Sequence, residues 1–527
     1  MEIKLTPNLY EFLKINTEKN KNKPFLKFKG HKLSYQDFFE QILKLAAFFQ
    51  SLKFEKNFKV GLLTQNRPEF ITVYFASIIS GANIIPINYF LNHEEIEYIV
   101  NNSGMKCFCF SKDFEKTALY LFEKKNEIKT FIAFDPTENQ KFLNYASCIK
   151  EIPADSFHPV PILPEHTASI IYTSGTTGNP KGAMLSHENL ISDAVYFCRH
   201  YFDHYKHHIR YIAFLPLFHS FSFMVGIICM MELGATVSLM ESILPFDKVI
   251  KTMLKDRINI LVGIPQVFRV LSEKKVPAIA RPLLKLLFPI KSCISGGAPL
   301  GIEVLAEFEK KFRIPIHEGY GLTEASPIVS VNDKYHHKHG SVGRVPKGLM
   351  EIKIVDENRK TLPNGKEGEI ALKGKNIMKG YFNNPEETEK VLQDGWLYTG
   401  DIGILDDEGF ITIVDRKKNI IISNGMNIYP AEIETVLRKH PSIREAVVVG
   451  VPDKHHGETP FAVIELYPEK KASALELKQF LMKQEARYKI PKYYDFWNEI
   501  PRNQTGKILK REIRKTVLEK MKLKDKK

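Results

Sequence analysis

Apolar and polar positions in the first third of the chain alternate between two periods. Residues 34–52 carry apolar side chains at helical spacing behind Ser34, whose hydroxyl suits a helix start, so the pattern predicts a helix there. Residues 60–64 form a short apolar run that predicts a strand. A helix over 69–80, a buried strand over 82–88, a helix over 93–102 and a strand over 107–110 follow. The alternation recurs at 258–262 and 290–294. Strands and helices in this order predict a parallel sheet covered by helices on its faces. Residues 211–231 hold no Asp, Glu, Lys or Arg, yet Pro216, His219, Ser220, Ser222 and Gly226 interrupt them. A membrane span wants about 20 predominantly apolar residues, so this stretch is read as buried core bordering a site.

From about residue 340 the texture changes. The runs 351–355 and 368–373 are short and strand-like, and turn residues punctuate them at 356–358, 363–365 and 406–409. The expected fold class is α/β. A large N-terminal domain of helix-covered sheets, 1–415, includes a small β-barrel-like unit over about 340–415, and a smaller α+β C-terminal domain follows over 416–527.

Composition narrows the picture. Of 527 residues, 44% are apolar and 26% charged, which is ordinary globular usage and excludes collagen, low-complexity polymer and wholesale disorder. Six Cys are too sparse for a disulfide scaffold. The formal charge is +14, and +11 of it falls after residue 415. A basic C-terminal region suits a phosphorylated ligand, an acidic partner, nucleic acid or an anionic membrane, while 520–527 reads as a frayed, solvated tail. The opening residues lack the apolar stretch of a secretory signal, so a soluble, cytoplasmic protein is expected. Phe supplies 36 aromatics against two Trp, which suits a core and a lipid-like pocket rather than nucleic acid. Cys107 and Cys109 are read as facing opposite sides of their strand, with neither metal nor disulfide. Some spacings among His200, His204, His207, His208, His336, His337 and His339 would fit metal ligands on a helix, but no Cys-x-x-Cys companion or His-Glu-x-x-His pattern accompanies them, so they are read as solvated.

The strongest local signal is the run 172–182, Tyr-Thr-Ser-Gly-Thr-Thr-Gly-Asn-Pro-Lys-Gly, behind a strand-like 168–171. Gly175 and Gly178 permit a tight loop with backbone N–H groups turned toward an anion. Thr173, Ser174, Thr176 and Thr177 add hydroxyls and Lys181 a positive charge, a set suited to polyphosphate. It is not a Walker A motif, since Asn179 and Pro180 follow Gly178. Further motifs stand at 216–221 (Pro-Leu-Phe-His-Ser-Phe), 295–300 (Ser-Gly-Gly-Ala-Pro-Leu), 318–327 (Glu-Gly-Tyr-Gly-Leu-Thr-Glu-Ala-Ser-Pro), 398–401 (Tyr-Thr-Gly-Asp) and 415–416 (Asp-Arg). Two more stand at 422–434 and 501–511.

In these motifs and their order, over about residues 6–514, the chain resembles the adenylate-forming superfamily of acyl-CoA synthetases, nonribosomal-peptide adenylation domains and beetle luciferases. Within it the chain looks most like a fatty-acid–CoA ligase. The resemblance implies ATP, Mg²⁺ and CoA as the partners of the reaction and a mobile C-terminal domain. It implies that Lys507 is the adenylation lysine, reaching the carboxylate and the α-phosphate, and that His219 lines the acyl pocket and gates the carboxylate. Gly297, Ala298 and Pro299 would pass close to adenine and acyl chain. In the motif Glu318, Gly319, Tyr320, Gly321, Thr323, Glu324, the Tyr320 ring would face adenine, Thr323 would reach the α-phosphate, and Glu324 with Thr176 would hold Mg²⁺. Asp401 and Arg416 would meet the ribose, Lys418 would be the hinge, and Gly425 would let the pantetheine arm pass. A fatty acid is the expected substrate because Phe221, Phe223, Met224, Val262, Gly263 and Ile264 bring no charge to the pocket. An aromatic acid of the coumarate type, a carrier protein as acceptor and peripheral membrane contact stay open.

Overall fold

The computed structural model describes residues 3–124, 126–150, 152–173, 179–205, 207–274, 289–423, 426–453, 457–502 and 508–524. Among the described residues the strands form four sheets. The first has seven strands, in spatial order Leu143–Asn144, Thr130–Ala133, Cys107–Phe110, Lys59–Leu63, Asn83–Pro86, Thr167–Thr173, Lys181–Ser186. Its pairings are parallel except the last, a hairpin in which Thr173 faces Lys181. The second sheet has eight strands, running Ile328–Val331, Ile316–Gly321, Ser292–Ser295, Ile260–Gly263, Arg210–Ala213, Thr236–Leu239, Pro24–Phe28, His31–Ser34. It is parallel inside and antiparallel at both edges. The expected helix-covered parallel sheet is therefore two sheets.

The sequence pattern explains the helices that cover them. The helix Tyr35–Ser51 starts where expected: the Ser34 Oγ accepts the Asp37 N–H at 3.0 Å, and the Asp37 carboxylate accepts the Ser34 N–H at 3.1 Å. Such a capping box stabilises a helix by about 1 kcal/mol. The helix Pro68–Ile79 is buried on nearly every side, packed on the strands Lys59–Leu63 and Asn83–Pro86 and against the helix Tyr35–Ser51, which is why its apolar run is continuous rather than periodic. The charge-free stretch 211–231 is core, as read. It takes in most of the strand Arg210–Ala213, the helical turns Ser220–Phe223 and Met224–Ile228, the latter a π-turn, and all but the last residue of Cys229–Glu232. No helix among the described residues is long and apolar enough to cross a membrane.

The third sheet is antiparallel and five-stranded: Met350–Val355, Glu367–Gly374, Trp396–Leu405, Leu392–Gln393 and Ile411–Arg416. The fourth, also five-stranded, comprises Ile421–Ser423, Met426–Ile428, Ile443–Asp453, Gly457–Leu466 and Tyr493–Phe496, packed with the helices Pro430–Arg438, Ala474–Met482 and Lys510–Lys524.

Three readings need correction. Cys107 and Cys109 face the same side of their strand, their sulfurs 4.0 Å apart, because a two-residue period returns alternate side chains to one face. His200 is not solvated: it is largely buried, with Nε2 3.4 Å from Asp333 Oδ2, and His336 Nδ1 lies 3.2 Å from the same oxygen. Lys520 is not part of a frayed end. The last helix continues to Lys524, and Lys520 pairs with Asp495 at 2.7 Å with its ammonium 5.0 Å above the Trp497 ring.

Candidate active site

Segments of the first three sheets meet around the end of the strand Ile316–Gly321. The strand Ile316–Gly321 carries Glu318 to Gly321 and then folds back on itself, the Leu322 N–H reaching the Pro327 carbonyl at 3.0 Å. A Cβ on Gly321 would overlap that carbonyl oxygen, so the turn needs glycine there. The turn Thr323–Ala325 presents Thr323 and Glu324. A buried network braces it from behind. The Asn376 amide donates to the Ala325 and Ile328 carbonyls at 2.8 and 3.0 Å and lies 3.1 Å from Asp193 Oδ1. The Ile328 N–H donates to Asp193 Oδ2 at 3.1 Å. Both Asp193 and Asn376 are wholly buried, and burial holds the Asp193 carboxyl well above the usual range.

Around Glu324 gather groups from distant segments. The Tyr381 hydroxyl donates to Glu324 Oε1 at 2.8 Å, and the Met378 N–H to the Glu324 carbonyl at 2.8 Å. Burial, then the Glu324 charge, pushes the Tyr381 phenol up, so it stays the donor. Lys181 lies with its ammonium 5.4 Å over the Tyr381 ring and pairs with Glu387. Its charge is thus shared with a carboxylate, which the sequence reading did not include. Thr173 Oγ1 donates across the hairpin to the Lys181 carbonyl at 3.4 Å. On the other flank the Ser220 and Thr323 hydroxyls meet at 3.1 Å, joining the His219 loop to the Glu324 turn.

A second cluster forms where the third sheet approaches. Asp401 and Arg416 are register partners on adjacent strands, and Arg416 Nε lies 3.0 Å from Asp401 Oδ1. The Tyr320 hydroxyl donates to Asp401 Oδ2 at 2.6 Å, which fixes the ring. Burial, then Asp401, keeps the Tyr320 phenol well above its usual range. Asp415 organises the next step of the chain: it accepts from the Arg416 and Ala431 N–H groups at 2.7 and 2.9 Å and from Asn419 Nδ2 at 2.9 Å. Lys418 follows on the turn Lys417–Asn419, its side chain exposed. Desolvation, then the Arg416 charge, holds its ammonium below the usual lysine range.

The loop 296–300 joins through Glu318, whose Oε1 accepts the Leu300 N–H at 3.2 Å. Burial pushes the Glu318 carboxyl up to about 7. Gly297 in this loop sits at φ +82°, a left-handed position suited to glycine, and Ala298 and Pro299 follow it. Gly319 lies where the strand crowds the Ser330 carbonyl. The His219 loop is clamped by Asn66, which donates to the Leu215 carbonyl at 2.9 Å and accepts the Leu217 N–H at 2.8 Å. His219 packs against Phe218, ring centroids 4.2 Å apart, and borders a small cavity of about 10 Å³ with Tyr74, Leu190, Phe223, Met224 and Ile228.

The structure thus brings together Thr173, Lys181, His219, Gly297, Glu318, Tyr320, Thr323, Glu324, Asp401, Arg416 and Lys418. Ser174, Gly175, Thr176, Thr177, Gly178, Gly425 and Lys507 lie outside the described residues. Asp193, Asn376, Tyr381 and Glu387 escaped the sequence reading. Asp193 had a signal, a lone acid among Leu190, Ile191, Ala194 and Val195 on one helix. The other three owe their roles to tertiary approach. Among the described residues no three His, Cys, Asp or Glu side chains are grouped to hold a metal ion. A single hard carboxylate such as Glu324 still fits Mg²⁺, which takes one or two protein ligands beside phosphate oxygens.

A tyrosine ring tied to a paired acid and arginine, beside a Thr-Glu turn, defines a class. The chain belongs to the AMP-binding enzyme family, which matches residues 13–382, and the AMP-binding enzyme C-terminal domain matches 432–507. It is a member of the adenylate-forming acyl-CoA synthetase superfamily. It is 34% identical to the long-chain-fatty-acid–CoA ligase of Bacillus subtilis (strain 168), over 93% of this chain and 91% of that protein. It is 32% identical to a 4-coumarate–CoA ligase of Humulus lupulus, over 92% and 89%. Among solved structures it resembles MatB from Rhodopseudomonas palustris at 26% identity. The TM-score is 0.87 for the ATP-bound form, covering 96% of this chain and 98% of MatB. It is 0.78 for the apo form, covering 97% and 98%.

Proposed function

We propose that this chain is an ATP-dependent fatty-acid–CoA ligase. Acid–thiol ligation is the activity of the acyl-CoA synthetases to which it belongs. The observation that carries the finer reading is the lining beside His219, mostly apolar side chains such as Leu190, Phe223, Met224 and Ile228 with the Tyr74, Ser220 and Ser326 hydroxyls and no carboxylate. An alkyl chain gains free energy from such surface, whereas an amino acid would leave its ammonium unpaired. The cavity is small, but Met224 is a flexible side chain that can give way to a ligand. The likeness to a coumarate ligase supports aromatic acids as a second reading.

In the first half-reaction a carboxylate oxygen attacks the α-phosphorus of ATP, and the bond to pyrophosphate breaks. The Tyr320 ring, held through Asp401, receives adenine, and Asp401 and Arg416 receive the ribose. Ser174, Gly175, Thr177 and Gly178 cradle the phosphates, with Lys181 beside them. Thr323 reaches the α-phosphate, and Lys507 bridges it to the carboxylate. Glu324 and Thr176 would hold Mg²⁺, which supplies charge neutralisation for the polyphosphate. His219 orients the carboxylate. In the second half-reaction the CoA sulfur attacks the acyl carbon and AMP leaves. The chain divides near Asp415–Asn419 into an N-terminal unit, 1–415, and a C-terminal unit, 416–527, that turns about Lys418 and brings Gly425 to the pantetheine arm. The +11 charge after residue 415 suits the phosphates of CoA.

The test is release of pyrophosphate and AMP with Mg-ATP across a chain-length series of fatty acids and cinnamate-type acids, with and without CoA. CoA-dependent turnover that peaks at one fatty chain length is expected. A peak on a cinnamate-type acid selects the second reading. Pyrophosphate stopping at about one equivalent, whatever the CoA, points to a carrier protein as acceptor.

A further inference from the structure

One buried carboxylate outside the nucleotide site collects three arginines. Glu445, on the strand Ile443–Asp453, has a side chain 5% exposed. Its Oε2 lies 3.3 Å from Arg269 Nη2 and also pairs with Arg502, and its Oε1 lies 3.1 Å from Arg438 Nη1. Burial alone would push this carboxyl up, but the guanidiniums of Arg438, Arg269 and Arg502 outweigh it and keep the group charged. Arg438 closes the helix Pro430–Arg438, and Arg502 stands five positions before Lys507, so both belong to the C-terminal unit with Glu445. Arg269 comes from the helix Pro265–Glu273 of the N-terminal unit.

We propose that Arg269 is a positioning residue for the adenylation half-reaction: through Glu445 it holds Arg502, the start of the segment leading to Lys507, against the N-terminal unit, and it lets go when the C-terminal unit turns. This rests on the ligase reading above. Two observations carry it. The first concerns arrangement. ATP-bound and apo MatB are one protein, yet this chain matches the former at TM-score 0.87 and the latter at 0.78. The Arg269–Glu445 contact therefore occurs in an arrangement closer to the ATP-bound one. The second concerns energetics. A buried carboxylate stripped of every partner is strongly destabilising. Glu445 keeps Arg438 and Arg502 when Arg269 departs, because they travel with it, so release strands no buried charge. A contact built this way can open and close once per turnover.

The test separates the two half-reactions. Arg269→Ala is expected to slow acyl-adenylate formation by about tenfold, equivalent to about 1.4 kcal/mol. CoA-thioester formation from supplied acyl-adenylate should stay within about twofold of wild type. Arg269→Lys should recover part of the loss. Equal loss in both half-reactions, or no loss in either, overturns the proposal. A readout independent of chemistry uses spin labels on Glu303→Cys and Lys478→Cys, both exposed, since all six native cysteines are buried. In the Arg269→Ala background the distance distribution between these labels should broaden or shift. An unchanged distribution overturns the bridge. A wild-type enzyme that makes no adenylate from any acid sinks the ligase reading instead, and the label distances then decide the bridge alone.

Discussion

Where the 296–300 loop meets the strand Ile316–Gly321, burial raises the Glu318 carboxyl from 4.5 to about 7, opposed by the Leu300 N–H. The folded state then binds this proton more tightly than the unfolded chain does. Stability attributable to Glu318 is present below about 4.5 and lost as pH rises to about 7. Glu318→Gln should flatten the stability profile across that window, which urea unfolding midpoints from acid to neutral pH will check. An unchanged slope would assign the titration to another group. Asp401 invites a sharper test. It receives both the Tyr320 hydroxyl and Arg416, so Asp401→Asn weakens charge-assisted bonds to the two side chains proposed to face the nucleotide. Such bonds are worth about 1.5–3 kcal/mol each. KM for ATP should rise by at least about tenfold, with a smaller change in kcat. A kcat loss at constant KM would place Asp401 elsewhere in the reaction. Tyr320, Asp401 and Arg416 were each legible as motif residues. That one carboxylate joins the other two was not, because the junction depends on the register of Asp401 against Arg416.

At the scale of elements, the turn Thr323–Ala325 is short, and its shape comes from what lies behind it. Asn376→Ala would strip the buried Ala325 and Ile328 carbonyls of their donor and leave Asp193 with the Ile328 N–H. Unsatisfied buried groups of this kind cost about 1–3 kcal/mol each, so a loss of about 3 kcal/mol in unfolding free energy is expected. Because Glu324 rides on the turn, the Mg²⁺ concentration for half-maximal adenylation should also rise. A stability loss with an unaltered Mg²⁺ curve would make the network purely structural. Periodicity located most elements to within a residue or two: 34–52 became Tyr35–Ser51 and 93–102 became His93–Ser103. It failed where side chains meet across the chain. His200 pairs with Asp333, and Asn376 spans 183 residues to reach Asp193. Such pairs leave no periodic trace, whereas the strand period of two does place Cys107 and Cys109 on one face.

For the whole molecule, the decisive question is which groups act in which arrangement of the two proposed units. The motif order made the reaction class legible from one sequence, whereas a contact such as Arg269–Glu445, which joins residues 176 positions apart, is announced by no local pattern. Lys507 and Arg269 make the argument quantitative. If Lys507 bridges the carboxylate and the α-phosphate, Lys507→Ala removes a charge needed in the adenylation transition state and nowhere else. Acyl-adenylate formation should fall by at least about a hundredfold, with thioester formation from supplied adenylate preserved. Arg269→Ala acts on the same step only by loosening the arrangement that delivers Lys507. The double variant should therefore be barely slower than Lys507→Ala alone, because a bridge that positions an absent ammonium has nothing left to contribute. Multiplicative losses in the double variant would mean that Arg269 acts on the nucleotide site by a route of its own. Single-turnover measurement of acyl-adenylate in the four proteins, wild type, each single variant and the double, distinguishes the two outcomes.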